Sequence, residues 1–207
     1  MYFIDGTKMT LFLAFFTVVI GTILGTILAI MRLSNNKILK FIASAYVEFI
    51  RGTPLLIQVF IFYYGIPSLL GIDLSEKPAA IMALGINSGA YVAEIIRAGI
   101  QAVDKGQTEA ARSLGMNSFC TMIYVIIPQA LKNVLPALGN EFVTVIKESS
   151  IVSVIGISDL TRASDIVRGI TYKSFEPLIV VAFIYFILTF TLSKLLGLAE
   201  RRMKQSD

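Results

Sequence analysis

Twenty-two consecutive residues without a charge, TLFLAFFTVVIGTILGTILAIM from Thr10 to Met31, constrain this chain more than any other feature. An α-helix rises 1.5 Å per residue, so crossing a hydrocarbon core about 30 Å thick takes about 20 apolar residues. The run is longer than the roughly 7–15-residue core of a secretory signal, and no small-residue cleavage site follows it. It is a membrane span that stays.

Composition agrees. Of 207 residues, 56% are hydrophobic and 15% charged, with a mean hydropathy of +0.77. Soluble domains carry roughly 45–50% apolar and about 25% charged residues. The net charge of +4 is small and bears on topology rather than on nucleic-acid binding. There is no histidine, which removes the commonest general base and metal ligand. The single Cys120 lies in an apolar run, so neither a disulfide framework nor a thiolate metal site is available.

Further uncharged runs follow at Pro54–Ile72, Pro78–Ala93, Ser113–Leu131 and Pro177–Ser193. The pattern predicts an all-α membrane protein, a single domain over 1–207 with five transmembrane helices at about 10–32, 41–70, 78–100, 116–138 and 177–198. Between the last two spans, Asn133–Glu176 is a long mixed stretch. Its apolar segment Ser149–Ser158 is too short to cross alone and is expected to be re-entrant or interfacial. Broken backbone at membrane depth is tolerated only beside protein or a water-filled cavity, so the segment points at a pathway. Cations bias one set of loops: Arg32, Lys37, Lys40 and Arg51 in the first, Arg97, Lys105 and Arg112 in the third, Arg201, Arg202 and Lys204 in the tail. The positive-inside rule places the N-terminus outside and the C-terminus in the cytoplasm. The fourth loop, with Lys147, Arg162, Arg168 and Lys173, is then outside and blurs the signal.

Gly21 and Gly25 form one GxxxG pair and Gly85 and Gly89 another. Small residues four apart let helices approach closely in lipid, either within the chain or at a subunit interface. A cytoplasmic segment of about 104–115 carries a different signal. Gln107 to Leu114 can form two helical turns, and Gly115 suits the left-handed position that ends a helix. Asp104 and Glu109 favour its positive N-terminal end, while Ala110, Ala111 and Leu114 offer a small apolar face. A short helix set rigidly between two spans can fill a groove in a partner; a plain loop helix is the alternative.

The run Glu109-Ala110-Ala111-x3-Gly115-x9-Val125-x-Ile127-Pro128 resembles the EAA loop of ABC-importer permeases. Three other stretches, Glu48 to Leu56, Ala90 to Ile100 and Lys147 to Ile155, resemble the polar amino-acid branch of that family, of the histidine, arginine and glutamine type. Four motifs in order cover nearly the whole chain. Val125 and Ile127 depart conservatively from the family's aliphatic positions. The resemblance implies a type I importer fold in which the EAA segment is the coupling helix that docks on an ABC ATPase subunit. Gln107, Glu109, Ala110, Ala111, Leu114 and Gly115 are then the docking residues. It also implies a second permease copy, identical or homologous, an extracytoplasmic solute-binding protein, an amino-acid substrate and a bacterial cell membrane. The chain has no Gly-Lys dipeptide, hence no GxxxxGK[ST] phosphate loop. No cofactor is expected in it; ATP and magnesium belong to the partner ATPase.

Ionisable groups at membrane depth are costly and default to function. Glu48 and Arg51, one turn apart beside Thr53 and Pro54, either satisfy each other or hold a zwitterion's charges. Lys147, Glu148, Ser149 and Ser150 compete for that role, because a helix break there would free amides and hydroxyls for a carboxylate. Asn87 and Asn140 are weaker polar candidates. Glu94 and Arg97, also one turn apart, read as structural. The acidic residues Glu48, Glu141 and Glu148 lean the expectation towards basic or polar substrates. A secondary transporter or another channel subunit would also show intramembrane charge, but usually with more spans and internal repeats; no repeat is visible.

Overall fold

In the computed structural model, residues 1–204 are described, with side chains through Arg201. Arg202 and Lys204 of the cationic tail therefore carry no side-chain description here. The described residues form helices only: α1 (Tyr2–Leu33), α2 (Lys37–Gly52), α3 (Leu55–Leu70), α4 (Glu76–Gln101), α5 (Lys105–Ser113), α6 (Ser118–Ile155), α7 (Leu160–Thr171) and α8 (Glu176–Lys204). Four of them, α1, α4, α6 and α8, are long and apolar enough to cross a bilayer alone, and counting the bent pair α2–α3 as one span gives five.

The two GxxxG pairs face one another inside the chain. A Cβ on Gly21 would lie 2.7 Å from Ser88 Oγ, and one on Gly25 would lie 2.6 Å from Val92 and 2.8 Å from the Gly89 carbonyl. Gly85 takes Ile20 and Gly89 takes Leu24. Residue numbers rise together along both helices, so α1 and α4 run parallel, locked by small-residue packing. A Gly25→Ala variant must push against a backbone carbonyl. Overpacking of this kind costs about 1–3 kcal/mol, so its thermal midpoint in detergent should fall. Gly197→Ala, with nothing within 4 Å, should leave the midpoint unchanged.

The second span is sharply broken. Helix α2 ends at Gly52, and the axis turns by 105° before α3 begins. Proline supplies no N–H and clashes with the preceding turn, so the helix ends before Pro54. Helix α3 contains a π-helical turn, Ile61–Gly65, and α6 another, Met122–Ile126. Proline follows each closely, at Pro67 and Pro128.

The fourth crossing corrects the sequence reading most. Asn133–Glu148 is not loop: α6 runs on as α-helix to Glu148 and tightens into a 3₁₀ turn over Ser149–Ile155. The segment Ser149–Ser158 thus continues α6 as far as Ile155, with Val152 and Ile155 packed in one core with Leu13 and Val59. Hydropathy misses this because its polar residues are matched across helices. Ser88 Oγ, for example, donates to buried Glu141 at 3.0 Å. Helix α7 is then capped by Asp159, whose buried carboxylate accepts from Thr161 N and Arg162 N at 3.1 and 2.9 Å. Burial pushes the Asp159 carboxyl above the usual carboxylate range, and those amides oppose the shift. Leu160 N donates to Thr10 Oγ1 at 3.1 Å, tying α7 to α1.

Candidate functional site

Two regions hold many of the residues singled out from the sequence. The first is α5, on the connection between α4 and α6. Asp104 caps it by accepting from Gly106 N at 2.7 Å, which satisfies one of the free amides every helix start leaves. At the other end Gly115 has φ +84°. Met116 N donates to Ala111 O at 3.1 Å and Gly115 N to Arg112 O at 3.0 Å. These are the two bonds of a Schellman stop, so the left-handed glycine read from the sequence is present. Two side-chain bonds fix α5 to α6: Arg112 Nη1 donates to Ser118 Oγ at 3.0 Å, and Gln129 Nε2 to Gln107 Oε1 at 3.2 Å. Glu109 and Ala110 are exposed, and Leu114 is 85% exposed. Ala111, in contrast, is buried at 4%. It faces the protein's own body and so cannot enter a partner's groove; it seats the helix.

The second region is the elbow between α2 and α3. Because Pro54 cannot donate, the Ile50 carbonyl loses the partner it would have in a continuous helix. Gln58 Nε2 replaces it at 2.8 Å and also reaches Thr53 O at 3.1 Å and Thr53 Oγ1 at 2.9 Å. Gln58 Oε1 in turn accepts from Asn87 Nδ2 of α4 at 3.0 Å. Both side chains are buried. Sequence patterning passes over Gln58; the available signal is one amide in an uncharged run, four residues after a proline.

Glu48 and Arg51 are exposed on α2 and form no ion pair with each other among the described residues. Arg51 instead lies over the Tyr91 ring, 5.3 Å from its centroid. Their mutual satisfaction, one of the two readings above, is therefore set aside. The break expected at Lys147–Ser150 is absent, since helix continues through it. Ser149 is fully buried and donates to Ile146 O at 2.8 Å, so its hydroxyl is already used. Lys147 and Asn140 are exposed, and Glu148 and Ser150 half-buried. Near the C-terminal ends of α1 and α4, Arg32 donates to Glu94 at 2.6 Å, and Arg97 also pairs with Glu94. That triad clamps the two parallel helices, which gives the Glu94–Arg97 pair its structural role and adds Arg32 to it.

The comparisons agree with this architecture. A protein of Rickettsia conorii named GlnP, after a glutamine transport system permease, is 43% identical over 98% of this chain and 93% of its own length. The arginine transport system permease protein ArtQ of Bacillus subtilis is 42% identical over 100% of this chain and 94% of its own. Among solved structures, an amino acid ABC transporter crystallised with histidines superposes with a TM-score of 0.94 at 58% identity, covering 97% of this chain and 94% of that one. The MetNI methionine ABC transporter shares the fold, with a TM-score of 0.74 at 20% identity over 98% and 94% of the two chains. A family model described as the inner membrane component of binding-protein-dependent transport systems matches residues 21–205, most of the length. The chain belongs to that family of multi-pass membrane permeases.

Proposed function

We propose that this chain is the channel-forming subunit of an ABC importer that moves polar, basic amino acids into the cytoplasm. Helix α5 carries the proposal: a short helix, capped at both ends and bonded to α6, with exposed Glu109, Ala110 and Leu114. A body moving as one with α6 can convert motion of a docked ATPase into motion of a span. ATP and magnesium are held by that ATPase. A second permease copy, identical or homologous, closes the path, and an extracytoplasmic solute-binding protein delivers the substrate. Support for the amino-acid class comes from relatives near 42% identity over the full length. Co-purification with an ATPase subunit and reconstituted uptake of labelled arginine and glutamine test the reading. Neither association nor uptake would leave it without support.

The substrate path runs past the α2–α3 elbow. Glu48, Arg51 and Thr53 stand on one side of it, with Asn140, Lys147, Glu148 and Ser150 on α6. Exposed charges at membrane depth do not face lipid; they face a water-filled path or another polar surface.

The orientation follows the lysine and arginine bias, with the N-terminus outside and the C-terminus in the cytoplasm. Single cysteines at Asn35 and Ser75, both exposed, are placed in a Cys120→Ala background. A membrane-impermeant maleimide added to whole cells should label Ser75→Cys and spare Asn35→Cys until the cells are opened. Labelling of both from outside would refute this topology.

A further inference from the structure

Helix α6 begins well short of the level at which α4 ends. A Cβ on Gly99 would strike Val134 and come 3.6 Å from the Ala130 carbonyl, so the end of α4 is level with Ala130–Val134. The charged Arg32–Glu94–Arg97 triad lies within the preceding turns of α4, and we infer that the lipid ends at about that depth. From Ala130 back to Phe119 is about 16 Å of helix at 1.5 Å per residue. The headgroup layer adds only about 5–8 Å on each side of the hydrocarbon. Phe119 therefore lies past the headgroups, beside α5.

Its outward face is apolar. Phe119 and Tyr124 are each 72% exposed and Ile123 is 38% exposed, whereas Thr121 and Ile126 turn inward and are buried. Lipid does not reach this level, and large apolar groups gathered on a surface in water mark an interaction site. The face is rigidly continuous with the coupling helix. Arg112 bonds to Ser118, the residue before Phe119, and Gln107 bonds to Gln129. Leu114, at the exposed end of α5, precedes Phe119 by five residues.

We propose that Phe119, flanked by Ile123 and Tyr124, is a second docking element for the ATPase subunit, seated in an apolar recess next to the groove that takes α5. The inference rests on the coupling-helix reading above and adds a contact to it. Two anchors on one rigid unit would resist rotation of the ATPase about α5, which a single short helix does not.

The photo-cross-linker p-benzoylphenylalanine, placed at Phe119, at Ala110 and at the exposed Phe183 of α8, tests this in membranes holding the whole complex. Positions 110 and 119 should both give a permease–ATPase adduct, and position 183 none. An adduct from 110 with none from 119, or with 119 joined to a second permease copy, overturns the second anchor and leaves the coupling helix standing. No adduct from either overturns both. In a parallel measurement, Phe119→Ala should lower the ATPase retained on purified permease by about tenfold, as loss of a well-packed aromatic anchor does. Unchanged retention rejects the proposal whatever the cross-links show.

Discussion

Replacing Gly115 with valine is expected to remove most uptake while the protein still inserts at its normal level. The effect is one of backbone alone, because nothing lies within 4 Å of where the new Cβ would stand. At φ +84° an L-residue with a Cβ is strained by about 1–2 kcal/mol, and a β-branched one is the worst placed. Relief comes by unwinding the Schellman stop, which breaks the Met116–Ala111 and Gly115–Arg112 bonds. Helix α5 then loses its fixed angle to α6, and with it the geometry that a docked ATPase requires. Gly115→Asn provides the grading, since asparagine tolerates the left-handed region. Uptake should therefore run Gly115 first, then asparagine, with valine about tenfold or more below the parent, following the strain. Radiolabelled uptake in membrane vesicles, normalised to permease content by immunoblot, reads the order. Full uptake in the valine variant at normal expression would count against a docking role for α5.

How far the sequence carried this picture depended on whether each signal was local. The spans at α1 and α4, the cap at Asp104 and the left-handed Gly115 all rest on residues adjacent in the chain, and they were legible. The matched GxxxG pairs were visible as motifs; only the packed structure shows that each is the other's partner. The fourth long helix was read too short because hydropathy treats Glu141 as polar without seeing Ser88 beneath it. The same measure read the uncharged run Ser113–Leu131 as part of a span, although it is bonded to α5 at Ser118 and Gln129. Ala111 illustrates the limit in the other direction: its place in the EAA motif suggested a contact with a partner, yet its side chain packs inward. Gln58 was missed for a related reason. Its function is to replace a hydrogen bond that Pro54 removes, and only the 105° turn of the chain brings Gln58 back to the Ile50 carbonyl.

Glu48→Gln is expected to weaken transport of a basic amino acid by about 10- to 150-fold, the equivalent of the 1.5–3 kcal/mol of a hydrogen bond to a charged group. A neutral amino acid should be affected far less. The expectation comes from placement. Glu48 is exposed on α2, one turn before an elbow at membrane depth, and has no ion-pair partner among the described residues. Arg51 beside it is turned onto Tyr91, so the carboxylate's charge is not spent within the chain. An uncompensated carboxylate at that depth has to be offset by water, by a neighbouring subunit or by a passing cation. The amide keeps the shape and removes the charge, which separates electrostatics from packing. Competition uptake with arginine and glutamine, run alongside a thermal midpoint, distinguishes the cases. Selective loss for arginine at an unchanged midpoint places Glu48 on the path. Equal loss for both substrates with a lowered midpoint would instead make Glu48 a contact to the second subunit. The substrate's charged groups would then be sought along α6, at Asn140, Lys147, Glu148 and Ser150.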